Sequence, residues 1–190
     1  YIAILNPDKR RFALIPNLLR TILRVSAILL RNRDNIRKLH ELSSVDQLTG
    51  VGNRRALASF VSEHLEPGVR YAVIFADING LKKMNDTFGH ERGDLLVQTI
   101  AYVLSNIAGK EHVFRLGGDE FLAIMPCKDD TGAVTILDHI EQSMYAHQCS
   151  AALGYVLCLA PFSNLDAVIH QADERMYRDK KKKHMRREDV

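Results

Sequence analysis

Residues 71–77, Tyr-Ala-Val-Ile-Phe-Ala-Asp, form a near-continuous apolar run of strand length that ends on a carboxylate. Such a run suits a central strand buried on both faces, so the chain has to build a sheet around it. Helical patterns follow at 79–86 and 91–107, after an earlier one at 54–65. His112–Leu116 and Glu120–Met125 then read as strands flanking Gly117-Gly118, a strong hairpin signal. A helix over 132–147, a strand over 150–159 and a last helix over 163–180 complete the series. Ser163, with Asp166 three residues on, resembles a capping box in which Asp replaces the usual Glu or Gln. From Tyr71 the order is β-α-α-β-β-α-β-α. It predicts an α+β sandwich of the ferredoxin-like or polymerase-palm kind, with a central antiparallel sheet and helices on one face.

A different pattern precedes this region. Leu18, Ile22, Val25, Leu29, Asn32, Ile36 and Leu39 are spaced alternately four and three apart. Ile22, Leu29 and Ile36 fall at a and the other four at d, a coiled-coil seam of roughly three heptads in which Asn32 would fix register. A single amphipathic helix that also buries Leu19, Leu23 and Leu30 is the plainer alternative. The expected organisation is therefore a remnant of an upstream, sensor-type domain at 1–16 and a long signalling helix at 17–43. A mixed α/β domain at 44–184 and a basic tail at 185–190 follow. The chain opens on Tyr1 and reads as a piece of a longer protein, whose missing part could carry a membrane anchor.

Charge excludes one class of function. Residues 178–187 carry +6 of a net charge of +3, which leaves −3 on the rest of the chain. A basic stretch confined to one end, without interleaved aromatics, is a poor footprint for nucleic acid. Cys127, Cys149 and Cys158 are odd in number and lack metal-ligand spacing, so they read as reduced core thiols of a cytoplasmic protein. The most apolar stretch, 15–30, is interrupted by Arg20 and Arg24 and predicts no membrane contact from this segment.

Two acids sit where the architecture would bring them together. Asp77 ends the first central strand, and Asp119-Glu120 opens the strand leaving the Gly-Gly turn. Neighbouring strands lie about 4.8 Å apart, so carboxylates at adjacent strand ends can share a cation. Their hard oxygens suit Mg²⁺ or Mn²⁺, which take one or two carboxylates plus substrate phosphates. Two such ions about 4 Å apart can activate an attacking oxygen and stabilise a leaving one. Glycines at 117 and 118 let a ligand approach the backbone closely.

RLGGDEF at 115–121 resembles the signature of the GGDEF family of diguanylate cyclases. DQLTGVGNRRAL at 46–57, DINGLKKMNDTFGHERGD at 77–94 and ADERMYRDK at 172–180 resemble that family's other motifs, in the same order and spacing. The resemblance covers about residues 44–184 and implies the nucleotide cyclase fold. It implies condensation of two GTP into cyclic di-GMP, with two Mg²⁺ or Mn²⁺ ions per site and release of two pyrophosphates. Asp77, the Ile78 carbonyl, Asp119 and Glu120 would hold the metals, and Glu120 would assist there or take the proton of the 3′-hydroxyl. Lys82 and Lys180 would hold the triphosphate along the Gly117-Gly118 turn. Asn85 and Asp94 would read guanine, whose N1–H and 2-amino donors match a carboxylate. Asp94 also has a structural reading, as a favourable charge near a helix N-terminus. His90, Asp46, Asn53 and Arg54 are read as structural rather than catalytic.

Two departures from the family pattern stand out. The R-x-x-D of the product-binding inhibitory site is replaced by Ala108-Gly109-Lys110-Glu111, so no inhibitory site is expected. His184 stands where the family often carries Arg, which weakens the expected phosphate grip. Joining two GTP symmetrically needs two domains face to face, so a homodimer through the N-terminal helix is expected. The rival reading is a catalytically silent domain that serves as a GTP-binding or signalling scaffold.

Overall fold

The computed structural model describes residues 19–31 and 44–188, and the chain divides into two units, Tyr1–Ser43 and Ser44–Val190. In the first unit residues 19–31 form helix α1. Its Ile22, Val25 and Leu29, from the expected seam, are exposed in the single chain. The 1–16 segment and Leu18, Asn32, Ile36 and Leu39 lie outside the described residues.

The second unit runs β1 (Gly52–Asn53), α2 (Arg54–Glu63), β2 (Arg70–Ile78), α3 (Leu81–Phe88) and α4 (His90–Ala108). A 3₁₀ turn at Lys110–His112 leads into β3 (Val113–Gly117), β4 (Glu120–Pro126), α5 (Asp130–Ala146), β5 (Ala151–Leu159) and α6 (Leu165–Glu188). The five strands form one sheet in the order β1-β3-β4-β2-β5. All neighbours are antiparallel except β1 and β3. The expected sandwich with an antiparallel centre is therefore present, and the apolar run at 71–77 is its inner strand.

Helices cover both faces of the sheet rather than one. Ala72, Ile74, Ala76 and Ile78 of β2 pack with Val97, Ile100 and Leu104 of α4 and Ile140 and Met144 of α5. Tyr71, Val73 and Phe75 pack on the other side with Leu57 of α2 and Ala172 and Met176 of α6. The reason is already in β2, which is apolar at nearly every position and would expose half its side chains under a single helical layer.

Four local features differ from the sequence reading. Gly117 belongs to β3 and pairs with Glu120, so the hairpin loop is Gly118-Asp119, and a register shift between Arg115 and Gly117 places a bulge just before it. Gly118 has φ 35°, the positive value a two-residue hairpin loop demands. At the start of α6 the side chain of Asn164, not Ser163, accepts from the Ala167 N–H (3.1 Å). The cap residue is the one that immediately precedes the helix. Strand β1 has only two residues, too few to show a period. Helix α6 continues past Lys180 to Glu188, consistent with good helix formers whose cations suit a helix C-terminus. Among the described residues no helix is long and apolar enough to cross a membrane.

Candidate active site

The register of β2 and β4 sets Asp77 directly opposite Glu120. Directly opposed residues of an antiparallel pair project to the same face. The tip of the hairpin is fastened to the end of β2, because the Ile78 N–H donates to the Asp119 carbonyl (3.0 Å). Helix α6 crosses this face and supplies Lys180, whose Nζ lies 2.7 Å from Asp77 Oδ1. Four of the expected residues, Asp77, Asp119, Glu120 and Lys180, are thus brought together from three separate elements.

Electrostatics mark the same place. The Glu120 carboxyl is pushed above its ordinary range by burial, and further by the negative charges of Asp119, Asp173 and Asp77, against a smaller opposing effect of Arg54. Asp173 was missed in the sequence, where it is one more acid on a charged helix. Its only signal was membership of the 172–180 segment.

Arg115 ties the turn to the joint that precedes α2. Its Nη2 and Nε donate to the Gly118 carbonyl (2.7 and 3.2 Å), and its Nη1 donates to Asp46 Oδ1 (3.2 Å). Asp46 also accepts from the Thr49 amide (3.0 Å) and hydroxyl (2.6 Å). Asn53 caps α2 by accepting from the Arg55 and Ala56 amides, and Arg54 faces Asp166 at 3.8 Å. Burial pushes the Asp46 carboxyl up, but the Thr49 hydrogen bonds and the Arg115 charge outweigh it and hold the group below its ordinary 3.8. A carboxyl lowered in the folded state stabilises the fold above its unfolded pKa, and that contribution is lost as pH falls through the folded value. Asp46→Asn is therefore expected to cost about 0.5–1 kcal/mol near neutrality, allowing for solvent screening. The gap to the native chain should close in acid, as followed by urea unfolding at a series of pH values. A gap that widens in acid would contradict this account.

Gly117 has no protein atom within 4 Å of where a side chain would begin, and it lacks the positive φ that would demand glycine. Gly118 likewise faces open space. Neither packing nor conformation of the chain accounts for the bare backbone at 117. It leaves room beside Asp119 and Glu120.

The remaining expected residues sit on α3 and α4. Lys82 and Asp94 are exposed and Asn85 is half-buried. Asn85 lies against Gly93, one residue before Asp94. Among the described residues no hydrogen bond or ion pair joins Lys82, Asn85 or Asp94 to the carboxylate group. His90 is an exposed residue at the start of α4. Ala108 ends α4, while Lys110 and Glu111 lie in the 3₁₀ turn. The side chain of His184 lies outside those described.

Asp77, Asp119 and Glu120 are hard oxygen donors whose mutual repulsion a divalent cation would relieve. Among the described residues no group of three His, Cys, Asp or Glu side chains forms a self-sufficient metal cage. Carboxylate oxygens of this kind suit Mg²⁺, which binds through one or two carboxylates and completes its shell with water and substrate phosphates.

Residues 43–186 match the family model described as "Diguanylate cyclase, GGDEF domain". The chain is 29% identical over 157 residues to MucR of Pseudomonas aeruginosa, a bifunctional diguanylate cyclase/cyclic di-GMP phosphodiesterase, covering 76% of this chain and 23% of MucR. It is 32% identical over 164 residues to the response regulator PleD of Caulobacter vibrioides, covering 78% of this chain and 36% of PleD. The chain thus spans well under half the length of both relatives. Among solved structures, the coiled coil and GGDEF domain of DgcB from Caulobacter crescentus, in complex with c-di-GMP, superposes with a TM-score of 0.64 at 23% identity. That match covers 86% of this chain and 94% of DgcB's.

Proposed function

Because this chain belongs to the GGDEF family of diguanylate cyclases, we propose that it condenses two GTP into cyclic di-GMP and releases two pyrophosphates. The observation that carries this reading is the opposition of Asp77 and Glu120 beside an unobstructed Gly117-Gly118 backbone. Bound Mg²⁺ or Mn²⁺, two per site, would supply charge stabilisation at the attacking and leaving oxygens. Asp77, Asp119, Glu120 and the Ile78 carbonyl would hold these ions.

The chain's own residues do the rest. Lys82 and Lys180 bind the triphosphate as point charges, and the bare turn lets the phosphates approach the backbone. The reach of Lys180 from α6 to the Asp77 carboxylate supports this role. Glu120 takes the proton of the 3′-hydroxyl. Asn85 and Asp94 select guanine, because an adenine would leave their polar groups unpaired. Arg115 keeps the turn in place through the Gly118 carbonyl.

Each domain presents one GTP, so two domains must face each other. Positioning supplies a large part of such catalysis. The segment at 17–43 would provide it as a parallel dimer seam. Replacing Ile22, Leu29 and Ile36 with polar residues is expected to lower specific activity at dilute protein. A dilution series giving the same specific activity for variant and native chain would contradict the seam. With Ala108 and Glu111 in place of the R-x-x-D ends, the enzyme has no product brake at that position. A domain that consumes GTP works where GTP is made, in the cytoplasm.

The decisive experiment incubates the native chain and Asp119→Ala with GTP and Mg²⁺ and identifies the products by chromatography. Cyclic di-GMP and pyrophosphate from the native chain alone are the expected result. GTP binding without product would instead favour the silent scaffold.

A further inference from the structure

Gly93 is buried within the first turns of α4, where glycine weakens a helix relative to alanine. Its backbone is not among those with positive φ, so conformation does not require glycine there. Space does. A Cβ at 93 would overlap Asn85 Oδ1 and would lie 2.8 Å from Asn85 Cγ and 3.3 Å from Asn85 Nδ2. These three atoms are the nearest ones it would meet, and all belong to one side chain. The Asn85 carboxamide therefore rests on the bare Cα of Gly93, next to Asp94.

We propose that Gly93 is a positioning residue for nucleotide selection: it gives Asn85 the seat from which Asn85 and Asp94 read one base together. The inference rests on the guanine-reading role given above to Asn85 and Asp94. A methyl group at 93 displaces the end of a half-buried side chain, which can swing outward without moving α3 from α4. Helix stability and base recognition are then set against each other at a single residue. Alanine would favour the helix, and glycine favours the site.

The test is a double-mutant cycle on equilibrium binding of GTP and of ATP, with thermal unfolding measured on every variant. Gly93→Ala is expected to weaken GTP binding ~10-fold, about as much as Asn85→Ala, and to leave the weaker ATP binding within about twofold. Its melting temperature should not fall. In the Asn85→Ala background the obstacle is gone, so Gly93→Ala should change GTP affinity less than about twofold and raise the melting temperature.

Native GTP affinity in Gly93→Ala would overturn the proposal, and so would a full tenfold further loss in the Asn85→Ala background. If Gly93→Ala does not fold, the double variant decides: its failure to fold as well means that Gly93 serves packing rather than Asn85. Base-selective GTP binding without cyclic di-GMP formation would overturn the proposed activity and leave this inference standing. A native chain that binds GTP no better than ATP would overturn the inference itself.

Discussion

Asp77→Asn should abolish cyclic di-GMP formation, by at least ~100-fold, while leaving the fold nearly as stable as before. Asparagine keeps the shape of the side chain at the penultimate position of β2, where residue 77 pairs with Glu120 on one side and Ala152 on the other. The change removes one negative charge. With it goes the ion pair to Lys180, whose side chain is 44% exposed, so little stability is at stake, on the order of 0–1 kcal/mol. Repulsion on the raised Glu120 carboxyl also falls, since Asp77 is one of its sources. Catalysis responds differently. Asp77 would hold a divalent cation against the phosphates; losing a preorganised electrostatic group of that kind typically costs about 10²–10³ in rate, and a neutral carboxamide binds such a cation far less well. Product analysis beside thermal unfolding separates the two effects. A variant that keeps a tenth or more of the native rate would show that Asp77 is not part of the chemistry.

Gly154→Val should lower stability substantially and activity further still. Gly154 sits in β5 opposite Phe75 of β2 and under α6. A Cβ there would overlap the Met176 nitrogen and the Ala172 carbonyl oxygen and would lie 2.7 Å from Met176 Cα. All three are backbone atoms, and Ala172 and Met176 are themselves buried, so α6 must move as a body. Glycine inside a strand commonly marks such a close backbone approach. Overpacking of this kind costs about 1–3 kcal/mol, and each kcal/mol is worth about 2–4 °C in a unit of this size. Activity suffers more because α6 carries Lys180 to Asp77 and Asp173 to the neighbourhood of Glu120. The expected outcome is a melting temperature lower by several degrees, with a large loss of product at temperatures where both proteins are folded. An unchanged melting temperature would mean that α6 does not sit this close to β5.

Most of the fold was legible because its signals are local. The run at 71–77, the strands around the glycine turn and the amphipathic helices each announce themselves within a few residues. Both-sided coverage of the sheet was implicit in β2 but not drawn from it, since a strand's own pattern does not say which helices reach each face. The hairpin tip shifted by one residue because bulge and register depend on the partner strand, which no single-strand pattern contains. Strand β1 was missed for the same reason: two residues become a strand only when Phe114 and Arg115 lie beside them.

The site divides along the same line. Sequence by itself determined the inventory: which carboxylates, lysines and glycines are available, on which kind of element, in what order, and hence the family. Tertiary structure decided who meets whom. Only the pairing of β2 with β4 puts Asp77 across from Glu120, and only the docking of α6 brings in Lys180 and the overlooked Asp173. Only the packing of α3 on α4 sets the Asn85 side chain against the bare Cα of Gly93. Helix and strand patterns arise from neighbours along the chain. Charge repulsion, ion pairing and steric exclusion act between atoms close in space, whatever their separation in sequence.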